Sequence, residues 1–180
     1  MISLSSLPGN QKVFLSGAIV GGFFIAISYF TEIIDFVYLS LFIFLYGMIV
    51  PMFILTGNSL NDLNDSNVFK CWAIISLIFL CIYFLSADNP NLVLGSFDRP
   101  ANGINQYISS NPISAFRALP AFLFVYWILN NILKKVSGNY IVFTFKQSRW
   151  YNDKAGRSIN GADVIINIIL YIVIFPVSYT

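Results

Sequence analysis

Histidine is missing from the chain altogether. With it go the usual axial ligand of haem, the commonest zinc and copper ligand, and the side chain that titrates near neutral pH. Cysteine is almost as scarce. Cys71 and Cys81 lie ten residues apart in one apolar run, about 15 Å along a helix and too far for a disulfide. They read as buried free thiols and say nothing about redox compartment. No metal or cofactor is expected. Enzyme signatures are lacking too: there is no Ser-His or Cys-His pair, no HExxH, no phosphate-cradling glycine loop with lysine and no dinucleotide fingerprint. The expectation is a protein that is not an enzyme.

Charge is the other shortage. Charged residues make up 10% of the 180 and hydrophobic ones 57%, against about 25% and 45–50% in soluble domains. So few charges could not cover the surface of a soluble protein this size. The expected class is all-α: a polytopic helical integral membrane protein forming a single membrane domain over residues 1–180. It would have five transmembrane helices, or four if the last does not cross, and a short basic cytoplasmic loop.

The apolar runs place the spans at 13–30, 36–56, 68–85, 113–133 and 164–179. Eighteen residues rise about 27 Å, just enough for a bilayer core. The first run lacks the short apolar core and small-residue cleavage site of a signal peptide, so it reads as a retained helix. Within it Gly17 and Gly21 form GxxxG, and Ala18, Gly22 and Ala26 an overlapping small-residue series. That stripe is the expected helix-packing face, although glycine is also simply common in membrane helices. Glu32 and Asp35 in the following link force the chain to the surface. Pro51 removes one backbone hydrogen bond from the second span, so a kink is expected near Gly47. The Asn/Asp/Ser-rich 57–67 link reads as turns and helix caps. Its Asn64-Asp65-Ser66 fits a glycosylation pattern that would be idle on the inner side. Residues 88–112 read as a long loop with a short interfacial helix around 104–108. Pro112 is set at the first position of the fourth helix.

What the chain does have is one strongly charged segment, 134–163, holding six of the ten Lys and Arg residues. These are Lys134, Lys135, Lys146, Arg149, Lys154 and Arg157, opposed only by Asp153 and Asp163. Loops rich in Lys and Arg stay on the cytoplasmic side. Five spans with the N-terminus inside put these six with Lys12 and Lys70 on the inner side, and leave only Arg99 and Arg117 outside. Segment 140–145 is β-prone, with Ile141, Phe143 and Phe145 on one face. The basic residues, with Trp150 and Tyr151 among them, suit anionic lipid heads or a cytoplasmic protein; nucleic acid is not expected.

Polar groups inside the spans are few. Arg117 sits near a span end and can snorkel. Asn130 and Asn131 mark the inner end of the fourth span. Asn167 is the one strongly polar amide well inside a span, able to bond a neighbouring helix or line a narrow pore. No internal repeat supports a secondary-transporter plan. The functional expectation is a non-catalytic subunit (anchor, sensor or scaffold) of an oligomeric or multi-protein membrane complex. It would self-assemble or join partners through the glycine face of the first span and dock a cytoplasmic protein on its basic loop. The alternative is an oligomeric channel or small transporter lined by Pro51, Asn130, Asn131 and Asn167. Usage rich in Ile, Asn, Phe, Lys and Ser points to a bacterial inner membrane.

Overall fold

A helix that is apolar on every face can bury any side of itself, so its inward face is chosen by packing alone. In this chain the choice falls on the segment with the least regular start. The computed structural model describes residues 7–31, 33–55, 59–86, 112–142, 151–152 and 157–179. In chain order these form α1 (Gly9–Thr31), α2 (Phe36–Leu55), the single turn α3 (Ser59–Asp62) and α4 (Ser66–Ser86). A 3-10 turn (Pro112–Arg117) then leads straight into α5 (Ala118–Ser137). Two-residue strands β1 (Tyr151–Asn152) and β2 (Arg157–Ser158) precede α6 (Gly161–Tyr179). The fold is all-helical apart from that ladder, which pairs antiparallel with Tyr151 opposite Ser158 and Asn152 opposite Arg157. Three helices, Gly9–Thr31, Ser66–Leu85 and Ile113–Ser137, are long and apolar enough to cross a membrane. The apolar parts of α2 and α6, Tyr38–Ile54 and Gly161–Ile174, are shorter.

The 3-10 turn and α5 form the centre of the bundle. Within one apolar eighteen-residue stretch of each, half of the residues are buried in Ile113–Ser137, against 17% in α1 and 28% in α4. The turn packs on α2, α4 and α6, and α5 on α4, α6 and α2, while α1 packs chiefly on α2. Ile113, Ala115 and Phe116 in the turn, and Leu119, Phe122 and Tyr126 in α5, are all buried. The change from 3-10 to α follows from Pro120. Without an N–H it cannot bond the carbonyl four residues back, so the ladder cannot run unbroken from Phe116. Placed in the first turn of α5, Pro120 wastes no donor the helix needs.

Close approach of this turn to α2 requires glycine. A Cβ built on Gly47 would lie 2.7 Å from the Ala115 carbonyl carbon and Cβ and 2.8 Å from its oxygen. The neighbouring α2 residues Leu39, Ile43, Val50 and Ile54 are buried at helical spacing, as are Asp163, Asn167, Leu170 and Ile174 on α6. Phe79 of α4 meets Phe116 edge to face at 4.9 Å between centroids.

The helices reproduce the expected runs with ends shifted by a few residues, the main exception being the 3-10 start of the fourth. The 57–67 link holds α3 and a cap: the Asp65 carboxylate accepts the Asn67 N–H at 2.7 Å and begins α4. Gly138 ends α5 in the left-handed conformation, φ 70°, its N–H bonded to the Lys134 carbonyl. Of the β-prone stretch 140–145, Tyr140–Val142 is irregular, with Ile141 and Val142 buried, and a separate ladder pairs 151–152 with 157–158. Phe143 and Phe145, and the interfacial helix expected around 104–108, lie outside the described residues.

Candidate functional site

Four chain ends meet at one end of the bundle: the start of α1, the α2–α4 link, the end of α5 and the start of α6. They are joined by side-chain hydrogen bonds that each span a long stretch of sequence. Gln11, fully buried, donates to the Asp62 carboxylate at 3.0 Å and accepts the Trp72 indole N–H at 2.9 Å. Asn10 donates to the same Asp62 oxygen at 2.8 Å. The first turn of α1 is thereby tied to α3 and α4.

A second group of bonds centres on Asn64. Its side-chain oxygen accepts the Tyr126 hydroxyl at 2.9 Å and the Asn130 amide at 3.2 Å. The Asn130 oxygen in turn accepts the backbone N–H of Ile141 at 3.0 Å. One residue on, the Val142 carbonyl accepts the Asn167 amide at 2.8 Å, which also reaches the Asp163 carbonyl at 2.6 Å. The start of the basic segment is thus clamped between α5 and α6 through two consecutive backbone groups. Its far end is fixed by a reciprocal cap. The Asn160 oxygen accepts the Asp163 N–H, and the Asp163 carboxylate accepts the Asn160 N–H, both at 3.0 Å. This is the geometry of a capping box, with a carboxylate placed favourably in the first turn of α6.

Where such a bond is buried, as for Gln11 with Trp72 and Asn167 with Val142, it satisfies a group whose burial unpaired would cost about 1–3 kcal/mol. Amides, one indole and one phenol dominate the network, which gives it the chemistry of a clamp. The Asn167 oxygen is buried with no donor among the described residues. No cluster of three or more potential metal ligands occurs among the described residues.

The singled-out residues distribute as follows. Asn130 and Asn167 belong to the clamp, while Asn131 is exposed and donates to the Trp127 carbonyl. Lys134 and Lys135 lie exposed in the last turn of α5, the Lys134 amine 5.1 Å from the Tyr140 ring centroid. The backbones of Tyr151 and Arg157 lie in the β ladder. Lys146, Arg149, Trp150 and Lys154 fall outside the described residues. Arg117 stands at the opposite end, its guanidinium 4.9 Å from the Tyr83 ring centroid.

On α1, the Tyr46 ring of α2 fills the space beside Gly21 and its hydroxyl lies near Gly22. That hydroxyl donates to the Ala18 carbonyl. Gly17 has no atom within 4 Å of a built Cβ, and Ala26 is exposed. The residues that sequence reasoning missed are Gln11, Asp62, Asn64, Trp72 and Tyr126. Asn64 reads as part of a turn and cap link, Gln11 stands two residues before an apolar run, and no local signal pairs Asp62, Trp72 or Tyr126 with a distant amide. Comparison with known protein families, curated proteins and solved structures finds no match to this chain.

Proposed function

We propose that the chain is a non-catalytic integral membrane subunit. It crosses the bilayer five times, keeps its N-terminus in the cytoplasm and docks a cytoplasmic protein on the basic segment 134–163. Membrane embedding is supported by the outward faces. Val20, Phe23 and Phe30 on α1, Leu77 on α4 and Ile165 on α6 are more than half exposed, surface that suits lipid tails and not water. The topology is supported by the gathering of the α1 start, the α2–α4 link and the α5–α6 link at one end, with Lys12, Lys70, Lys134 and Lys135 exposed there. Composition supports a bacterial inner membrane.

The observation that carries the docking role is the two-sided fastening of the basic segment. A loop serving only to set topology could hang free from its helices. Here Asn130 and Asn167 hold its start, the Asn160–Asp163 cap holds its end, and a ladder pairs 151–152 with 157–158. Ordering a loop beforehand lowers the entropic cost of binding a partner. Assembly of copies through the α1 stripe has chiefly Gly17 and Ala26 left to use, since Ala18, Gly21 and Gly22 already face Tyr46.

The test is a mild-detergent pull-down with mass spectrometry, comparing wild type with Lys146/Arg149/Lys154/Arg157→Ala. A stoichiometric cytoplasmic partner present with wild type and lost with the variant is the expected result. A self-oligomer without a partner in either sample, together with ion conductance in liposomes, would replace this reading with a channel.

A further inference from the structure

We infer that the crevice between α1 and α2 holds one acyl chain of an anionic inner-leaflet phospholipid, an inference that rests on the membrane reading above. The crevice has a volume of about 310 Å³. Its floor is Ala18, Val50 and Trp72, all less than 8% exposed, and its rim includes Val13, Ile49 and Phe53, all more than 40% exposed. It therefore opens sideways, onto the faces that meet hydrocarbon. Gly17 keeps it open, because nothing stands within 4 Å of where a Cβ would be.

Three features select the occupant. The two polar groups in the wall are already engaged, the Trp72 indole with Gln11 and the Tyr46 hydroxyl with Ala18, so the lining asks for an apolar guest. A volume of about 310 Å³ has room for on the order of ten groups of about 30 Å³ each. A helix with its side chains is about 10–12 Å across, a bulkier guest than a crevice of about 310 Å³ takes in, whereas a single polymethylene chain is slender enough to enter it. Along α2 the crevice runs from Tyr46 to Phe53, about 10 Å of rise, and along α1 it ends at Val13. The next residue outward is the exposed Lys12, at the level where a lipid phosphate would lie. A positive group above an apolar slot matches an anionic phospholipid with one tail inserted.

The experiment reconstitutes the full chain in nanodiscs of phosphatidylglycerol and phosphatidylethanolamine, re-extracts it in mild detergent and counts retained lipid by native mass spectrometry. Wild type is expected to keep one phosphatidylglycerol per chain. Gly17→Leu, which fills the slot from α1, and Ile49→Trp, which blocks its mouth from α2, should each lose it while melting at about the wild-type temperature. Retention of no lipid by wild type, or equal retention by both folded variants, overturns the inference. So does disulfide cross-linking between copies through Val13→Cys and Ile49→Cys in lipid-free protein, which would assign the slot to a second copy. An alkaline carbonate wash separates the two failures. Release of the chain from membranes sinks the membrane reading itself, while an embedded chain without bound lipid sinks only the acyl-chain site.

Discussion

Gly47 and Gly17 are both glycines in apolar helices, yet they have opposite surroundings. At Gly47 the backbone of Ala115 leaves no room for a methyl group, and backbone cannot swing aside as a flexible side chain can. Gly47→Ala is expected to destabilise the bundle by about 1–3 kcal/mol through overpacking, seen as a lower melting temperature in detergent. Gly17→Ala meets open space and gains helix propensity of up to about 1 kcal/mol. Its melting temperature should stay level or rise. A fall for Gly17→Ala as large as for Gly47→Ala would mean that the crevice is closed in the folded protein. Trp72 supplies a third test at this scale. Trp72→Phe leaves the buried Gln11 oxygen without its indole donor, at a cost of about 1–3 kcal/mol. The loss should shrink when Gln11→Leu is present in the same chain, the coupling being read from a double-mutant cycle.

Among the elements, the basic segment and its two supports behave as a unit. The Ile141 N–H rests on the Asn130 side chain, so Asn130→Ala should raise amide exchange at Ile141 roughly five- to hundred-fold, the counterpart of about 1–3 kcal/mol. Asn167→Leu strips the Val142 carbonyl of its donor and should loosen the same segment from the α6 side, with faster proteolysis between Lys146 and Lys154. Unchanged exchange and proteolysis in both variants would show that the plug formed by Ile141 and Val142 holds without its hydrogen bonds. The sequence marked Asn130, Asn131 and Asn167 as intramembrane polar candidates but could not divide their roles. A span carries no record of which loop backbone will fold against it. Asn131 lies one residue from Asn130, about 100° round the helix, and that angle alone leaves it on the exposed face. The described start of the β-prone stretch 140–145 departs from a strand for a related reason: alternating apolar residues signal a half-buried strand, but Ile141 and Val142 are adjacent and both buried, which a plug allows and an alternating strand does not.

For the whole molecule, the testable quantity is sidedness. With Cys71 and Cys81 replaced by alanine, a cysteine at Asn152 should react with a membrane-impermeant maleimide only from the cytoplasmic face. One at Asp35 should react only from the opposite face. Reaction of both from one side would break the five-span arrangement.

The sequence by itself determined the helical class, the approximate ends of the apolar segments and which links carry the positive charge. Each of those is a local property, summed over one span or one loop. The tertiary structure alone decided that the 3-10 turn and α5 lie at the centre, that α1 lies at the edge, and that amides 60 or more residues apart form one fastening. The physical reason is that these helices are apolar on nearly every face. A soluble helix writes its inward side into the sequence as an apolar stripe against polar neighbours. Here that contrast is absent, and shape decides instead: a glycine that admits a backbone, a proline that breaks a ladder, and a few polar groups that must find one another.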